Sequence, residues 1–280
     1  MINVSVIIVA YNSESVIFDC LSSINKNNDI GERLEVIVVD NSPTASLGES
    51  LMTRYGSLYK YIHNPKNGGF GQGNNIGAMA SKGEVLLFLN PDTILISGVF
   101  RELYSAVEKG AVIGGFRLVD PVLKDNDTIG LLPEFNWLTV PRWMLNLLVI
   151  KFKVLTKCVF PWGAALFVKK DEFIRAGMFD ENIFLCNEEP DLIHRFGGVK
   201  VEIINTPIIH LEGHTTVVHD YRFREYLKST KYYFEKHGLN FAFFIRVFYL
   251  KVKVKMCINK FNSNMYENNL SIAKIIRDFF

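Results

Sequence analysis

Over the first 118 residues, short apolar runs alternate with helix-like stretches, and few folds accommodate that order. Residues 4–10, 35–40, 59–63, 85–89 and 111–116 are rich in Val, Ile, Leu or aromatic side chains, the texture of strands covered on both faces. Residues 14–26, 45–55, 71–81 and 98–108 lie between them with helical patterning. Strand and helix repeating at this spacing predict right-handed βαβ units and a mostly parallel sheet flanked by helices, an α/β fold. After residue 118 the regularity lapses. Residues 120–141 are polar and turn-rich, 142–157 are apolar with basic flanks, 160–168 read as a strand and 171–176 as a helix. Residues 188–195 read as one or two helical turns, 199–204 and 208–211 as strands, and the C-terminal stretch as two or three helices.

A parallel sheet binds ligands beyond the carboxyl ends of its strands, so the residues just past each run matter most. The GxGxxG fingerprint of dinucleotide folds is absent after the first run, where Tyr11-Asn12-Ser13 stands, which argues against a Rossmann dehydrogenase. Four features fall on the carboxyl rim. Asp40 ends the second run and is either a turn residue or an acceptor for the imide N–H of a pyrimidine. Asn67-Gly68-Gly69-Phe70-Gly71-Gln72-Gly73-Asn74-Asn75 enters a helix and suits either a plain turn or phosphate bound at a helix N-terminus. The run 85–89 stops at Asn90-Pro91-Asp92, because Pro91 cannot donate to a sheet ladder. Asp92 is then either a helix cap or a hard ligand for a divalent cation. Finally, Asn187-Glu188-Glu189-Pro190-Asp191-Leu192 places three carboxylates at an apparent helix start. They either complement the helix dipole at the surface or are drawn inward by Ile183-Phe184-Leu185-Cys186. In the second case they raise one another's pKa, as a general base requires.

A chain of 280 residues, 49% hydrophobic, fits one large domain or a domain with an appendage and needs no covalent staples. Cys20, Cys158, Cys186 and Cys257 lie far apart without a CxxC pair, so neither zinc nor a disulfide framework is indicated and a reducing, cytosolic compartment is expected. No basic leader precedes the first strand, and no uninterrupted apolar stretch reaches the ~18 residues of a membrane span. Residues 219–280 hold 12 Lys/Arg against 5 Asp/Glu, leaving 19 against 24 in the first 218. A neutral-to-acidic body with a basic tail argues against nucleic-acid binding and for a local anionic contact.

Seven segments, VSVIIVAYNS, EVIVVDNS, NPKNGGFGQGNN, LLFLNPD, PWGAALFV, GMFDENIFLCNEEPDLIHR and IIHLEGHTT, stand in the order found in the family 2 glycosyltransferases. Over about residues 3–235 the chain resembles that family, in the branch containing rhamnosyltransferases and galactofuranosyltransferases. The resemblance implies a GT-A fold over residues 1–218 that binds a nucleotide-diphospho-sugar, followed by a helical, basic region over 219–280. It also implies roles. Ala10, Tyr11 and Asn12 line the nucleotide pocket and Asp40 faces the base, while Asn67, Gly68 and Asn74 frame the pyrophosphate and sugar. Asn90-Pro91-Asp92 stands where the family has an Asp-x-Asp metal motif. Asp92 is thus the retained ligand, and His210 completes a site for Mn²⁺ or Mg²⁺, with His214 as the competing candidate. Trp162-Gly163-Ala164 lies beneath sugar and acceptor. NEEPDL matches the family's Glu-Asp-x-Asp-Leu, which makes Glu189 the base towards the acceptor hydroxyl, with Glu188 and Asp191 as its acidic companions.

Three departures stand out. Asn90 replaces an Asp and holds a cation less tightly; Glu189 replaces an Asp, moving the carboxylate by roughly an ångström, a displacement that matters to rate; and Arg195-Phe196-Gly197-Gly198-Val199 is a short helix-to-strand connection. The implied reaction is an inverting transfer from dTDP-rhamnose or a UDP-hexose to a polyprenyl-diphosphate-linked saccharide, in bacterial surface-polysaccharide synthesis such as O-antigen or capsule. The aromatic, basic segments 142–157 and 241–257 suit the anionic headgroup layer on the inner face of the cell membrane, making the protein cytoplasmic and peripheral. Alternatively they pack on the sheet domain or form a homodimer contact. Two rivals remain: a nucleotidyltransferase, disfavoured because AYNS is not a basic, Gly-rich signature, and a catalytically inactive sugar-nucleotide binder of the same fold.

Overall fold

Strand β1 (Val4–Ala10) alternates sides: Val4, Val6 and Ile8 enter one apolar cluster and Ile7 the other, and all four are fully buried. Its apolar sequence, interrupted only by Ser5, dictates that two-sided burial, and in the computed structural model β1 lies inside an eight-stranded sheet. Residues 3–135, 138, 140–211, 220–259 and 263–280 are described. The remaining strands are β2 (Leu34–Asp40), β3 (Lys60–His63), β4 (Val85–Leu89), β5 (Thr93–Leu95), β6 (Ile113–Val119), β7 (Ile129–Leu131), β8 (Val159–Pro161), β9 (Ala165–Lys169) and β10 (Val201–His210). Their order in the sheet is β3-β2-β1-β4-β9-β6-β10-β5, with β7 and β8 forming a separate antiparallel ribbon. Pairing is parallel from β3 through β4 and between β6 and β10; β9 enters antiparallel between β4 and β6, and β5 runs antiparallel beside β10.

Helices cover both faces. On one face lie α1 (Ile17–Lys26) and α2 (Ser46–Tyr55); the other receives α3 (Gly69–Ala80). Helix α4 (Phe100–Glu108) joins the first face, and α5 (Arg142–Asn146), α6 (Lys170–Arg175) and α7 (Glu188–Arg195) the second. Each fully buried Val, Leu, Ile or Phe stabilises this three-layer core by roughly 1.5–3 kcal/mol. The glycines of α3 serve packing. A Cβ at Gly77 would collide with Ile7 Cγ2 of β1, so only a bare backbone lets the helix lie this close to the strand.

The C-terminal stretch folds as α8 (Asp220–Lys236), α9 (Phe241–Ile258) and α10 (Ser263–Arg277), around a third cluster that includes Leu227, Tyr233, Phe234, Ile245 and Ile276. Among the described residues, no helix is long and apolar enough to cross a membrane.

Two expected elements take a different form. The run 160–168 is not one strand: it ends β8 at Pro161, turns through Trp162-Gly163-Ala164, and re-enters the main sheet as β9. Conversely, the two strands expected over 199–204 and 208–211 are one strand, β10, running from Val201 to His210, whose register slips between Ile204 and Pro207. Pro cannot donate to a ladder, and a bulge is where a strand tolerates it. The short connection after α7 closes because Gly197 (φ +66°) and Gly198 (φ +85°) both adopt the left-handed conformation that glycine takes without steric cost.

Candidate active site

The turn that interrupts residues 160–168 sets the floor of the site. Ala164 O accepts the Asn90 N–H (3.0 Å), tying the turn to the end of β4, and Trp162 N–H donates to Thr128 O (3.2 Å). Trp162 is left 41% exposed, an indole face available to a ligand. Beside it, Gly163 N–H donates to Glu189 Oε1 (2.8 Å). A Cβ at Gly163 would press on that carboxylate oxygen and lie 3.0 Å from the Phe70 ring.

The antiparallel pairing of β5 with β10 sets His210 opposite Thr93. Leu211 N–H then donates to Asp92 O (2.9 Å), and His210 Nε2 lies 3.4 Å from Asp92 Oδ1, both side chains partly exposed. Asn90, Trp162, Gly163, Glu188, Glu189 and His210 line one open cleft of about 430 Å³, joined by Arg222 and Tyr226 of α8, Asp127 and Phe70. The end of β4, through Asn90, and the start of α7, through Glu188 and Glu189, therefore border the same space, with Asp92 reaching it through its neighbour His210.

The two glutamates of the cleft are buried, Glu188 at 2% exposure and Glu189 at 8%. Burial, and then the Glu189 charge, push Glu188 well above the usual carboxylate range. Burial also raises Glu189, with the Gly163 N–H opposing it. Glu188 Oε1 has no hydrogen-bond partner. Burial thus disfavours two charges side by side, and the Gly163 N–H favours the charged form of Glu189.

Asp191 behaves differently. It is fully buried and outside the cleft, accepting from Arg195 Nε (2.8 Å), Lys236 Nζ (2.7 Å) and His237 Nε2 (2.9 Å). Lys236 also pairs with Asp180 (2.7 Å). Against burial, which draws it down, those two carboxylates hold the Lys236 pKa above its ordinary value. Asp191 therefore fastens α7 to α8. The loop before α7 is strained: Cys186 (φ +66°) and Asn187 (φ +72°) are consecutive left-handed residues, each costing on the order of 1–3 kcal/mol.

On the nucleotide side, Ala10, Tyr11, Asn12 and Asp40 gather where β1 and β2 end, since Ala10 and Asp40 are register partners. Tyr11 is half-exposed, and Asn12 N–H donates to Ser42 Oγ (2.9 Å). For Asp40 the placement differs from the expected contact with a base. Its carboxylate is completely buried, accepting from Ser42 N–H (2.9 Å) and the Tyr61 hydroxyl (2.8 Å), so it organises the turn beneath the pocket. Asn74 likewise is 1% exposed and donates to Phe70 O (3.0 Å) within α3. Asn67 and Gly68 stay half-buried at the rim, where Gln72 Oε1 accepts the Gly68 N–H (3.0 Å). His214, the competing metal candidate, lies outside the described residues, as does the 218/219 boundary.

The donor set of Asp92 and His210, one carboxylate and one imidazole, fits Mn²⁺ or Mg²⁺ if a ligand's phosphate oxygens and water complete the shell. Among the described residues, no group of three or more His, Cys, Asp or Glu side chains is arranged to hold a metal on its own. Sequence reasoning missed Asp127, Arg222 and Tyr226; the basic balance after residue 218 was the one signal pointing towards the region of the latter two.

The comparisons agree with this architecture. The Glycosyl transferase family 2 model matches residues 5–171. Rhamnosyltransferase WbbL of Escherichia coli K12 is 27% identical over 251 residues, 81% of this chain and 90% of that protein. Glycosyltransferase GlyG of Streptococcus pneumoniae serotype 4 is 29% identical over 118 residues, 40% of this chain and 38% of GlyG. Mannosyltransferase PcManGT from Pyrobaculum calidifontis, solved with GDP-Man and Mn²⁺, superposes with a TM-score of 0.60 at 16% identity, over 84% of this chain and 64% of that one. The shared architecture is the GT-A fold.

Proposed function

The chain belongs to glycosyltransferase family 2, and on that premise we propose that it is an inverting, metal-dependent hexosyltransferase. The observation that carries the reading is that one cleft is lined by Asn90 and His210 together with Glu188 and Glu189. Diphosphate and acceptor have to meet in such a space for a sugar to pass between them.

The nucleotide would lie along the rim formed by Tyr11, Asn12, Asn67 and Gly68. Asp92 and His210 would hold a divalent cation, whose chemistry is to neutralise charge growing on the departing diphosphate. Trp162 would carry the sugar on its exposed face. Glu188, protonated, would donate to a sugar hydroxyl from Oε1, the carboxyl oxygen that has no partner in the protein. Glu189, ionised, would take the proton from the acceptor hydroxyl as its oxygen attacks the anomeric carbon. Attack from the face opposite the leaving group inverts the configuration.

The donor class proposed is dTDP-rhamnose or a UDP-hexose, in keeping with the similarity to a protein named a rhamnosyltransferase. The acceptor proposed is a saccharide on a polyprenyl diphosphate, built into bacterial surface polysaccharide at the inner membrane face. Phe243, Leu250, Val254 and Ile258 are exposed on α9 among Arg246, Lys253 and Lys255, and Trp143 and Phe152 are exposed elsewhere. That combination supports a seat on anionic lipid. Co-sedimentation with anionic vesicles at low salt tests the seat, and a dimer at equal occupancy without lipid would speak against it. A thermal-shift panel of nucleotide sugars with Mn²⁺ tests the donor: stabilisation that depends on both nucleotide and sugar supports the reading, and no response to any member counts against it. Asn90 keeps one alternative open, a sugar-nucleotide binder without turnover, which would bind in the panel yet release no nucleoside diphosphate.

A further inference from the structure

Asn187 occupies the N-cap of α7, a position where the side chain of Asn ordinarily accepts a helix N–H. Here it makes no capping bond, and its backbone is left-handed. Its amide instead donates to Thr230 Oγ1 of α8 (2.9 Å), while the Thr230 hydroxyl donates to Tyr226 O (2.7 Å). On the adjacent residue of α8, the Ser229 hydroxyl donates to Leu185 O (2.8 Å). Thr230 is completely buried and Ser229 nearly so. Two neighbouring hydroxyls of the C-terminal region thus grip both ends of the left-handed Leu185-Cys186-Asn187 turn, and that turn aims the next two residues, Glu188 and Glu189, into the cleft.

A turn built from two left-handed non-glycine residues relaxes unless its surroundings hold it. An Asn that gives up its own helix cap for a bond to another element shows where the hold comes from. We propose that Thr230 and Ser229 are positioning residues for Glu189, so that the C-terminal region completes the active site of the sheet domain. The proposal rests on reading Glu189 as the base. Neither hydroxyl touches substrate; each acts through the 185–187 turn.

The test compares the parent with Thr230→Val, which keeps the shape and loses the hydroxyl, and Thr230→Ser, which keeps the hydroxyl. Amide hydrogen exchange across 185–191 is followed in all three. Turnover is measured with UDP-glucose or dTDP-rhamnose and Mn²⁺, whichever the parent uses faster. Thr230→Val should speed exchange in 185–191 by about ten-fold, with β1 and β4 unchanged. It should also lower kcat by about 10–100-fold with donor KM within about two-fold, as expected for misplacement on the ångström scale. Thr230→Ser should restore both. Unchanged exchange, or faster exchange with parental kcat, overturns the proposal, as does a Ser variant as slow as the Val variant. If Thr230→Val does not fold, Ser229→Ala is judged by the same two readouts. A parent inactive on both donors would count against glycosyl transfer itself, and the exchange measurement would still decide whether α8 anchors the turn.

Discussion

Glu189 Oε1 accepts the backbone N–H of Gly163 at 2.8 Å, joining the acidic helix to the turn beneath the cleft. The bond fixes one oxygen of the carboxylate, favours its charged form, and leaves the rest of the group for an acceptor hydroxyl. Replacing Glu189 by Gln should lower turnover by ~10²–10⁴-fold, the range for loss of a general base, with donor affinity kept. Steady-state kinetics paired with calorimetric donor binding decides this; turnover within a few-fold of the parent would remove Glu189 from the role.

Gly163→Ala probes the same contact from the other side. The added Cβ presses on Glu189 Oε1 and the Phe70 ring, so the carboxylate has to move. Turnover should fall by at least about ten-fold; turnover within about two-fold of the parent would show that the carboxylate position is not critical.

Glu188 links protonation to stability. Its folded pKa is raised above the model-peptide value of 4.5, first by burial and then by Glu189. The native state therefore binds a proton that the unfolded chain has released. The stabilisation from that proton is fully present below about pH 4.5 and is lost as pH rises through the folded pKa. Glu188→Gln, which cannot ionise, should thus gain melting temperature relative to the parent at about pH 8 and gain little at about pH 4. An equal shift at both values would show that ionisation is not the cause. Turnover of the parent should rise with pH as Glu189 sheds its proton, with a midpoint above the ordinary Glu range.

Much of this was legible from the residues. The apolar runs before Asn90 and Asp40 read correctly as buried parallel strands because periodicity and Pro91 leave few alternatives. The apolar lead-in to NEEPDL signalled that its carboxylates turn inward, and Glu188 and Glu189 do. The break at Trp162-Gly163-Ala164 was hidden, since an apolar run does not announce that its halves join different sheets. The single strand β10 was hidden as well, because Pro207 reads as a terminator and only tertiary pairing turns it into a bulge. The fate of Asp191 was beyond sequence reasoning, because two of its three partners, Lys236 at the end of α8 and His237 just after it, lie far along the chain.

Asp191→Asn should therefore act on stability. Removing the charge at a fully buried site takes from Arg195 its carboxylate partner and leaves Lys236 with Asp180 alone, a class of change costing ~3–5 kcal/mol. Urea denaturation of the two proteins measures it. A loss under about 1 kcal/mol would mean that the cluster is compensated elsewhere.

The central claim is that Asp92 and His210 on one side, and Glu189 on the other, serve a single reaction. The most direct measurement is release of nucleoside diphosphate from UDP-hexoses and dTDP-rhamnose with Mn²⁺, for the parent, Asp92→Ala and Glu189→Gln, with and without chelator. The account predicts release by the parent that stops with chelator and is lost in both variants while each stays folded. Release that continues undiminished in chelator, or in Asp92→Ala, would contradict it.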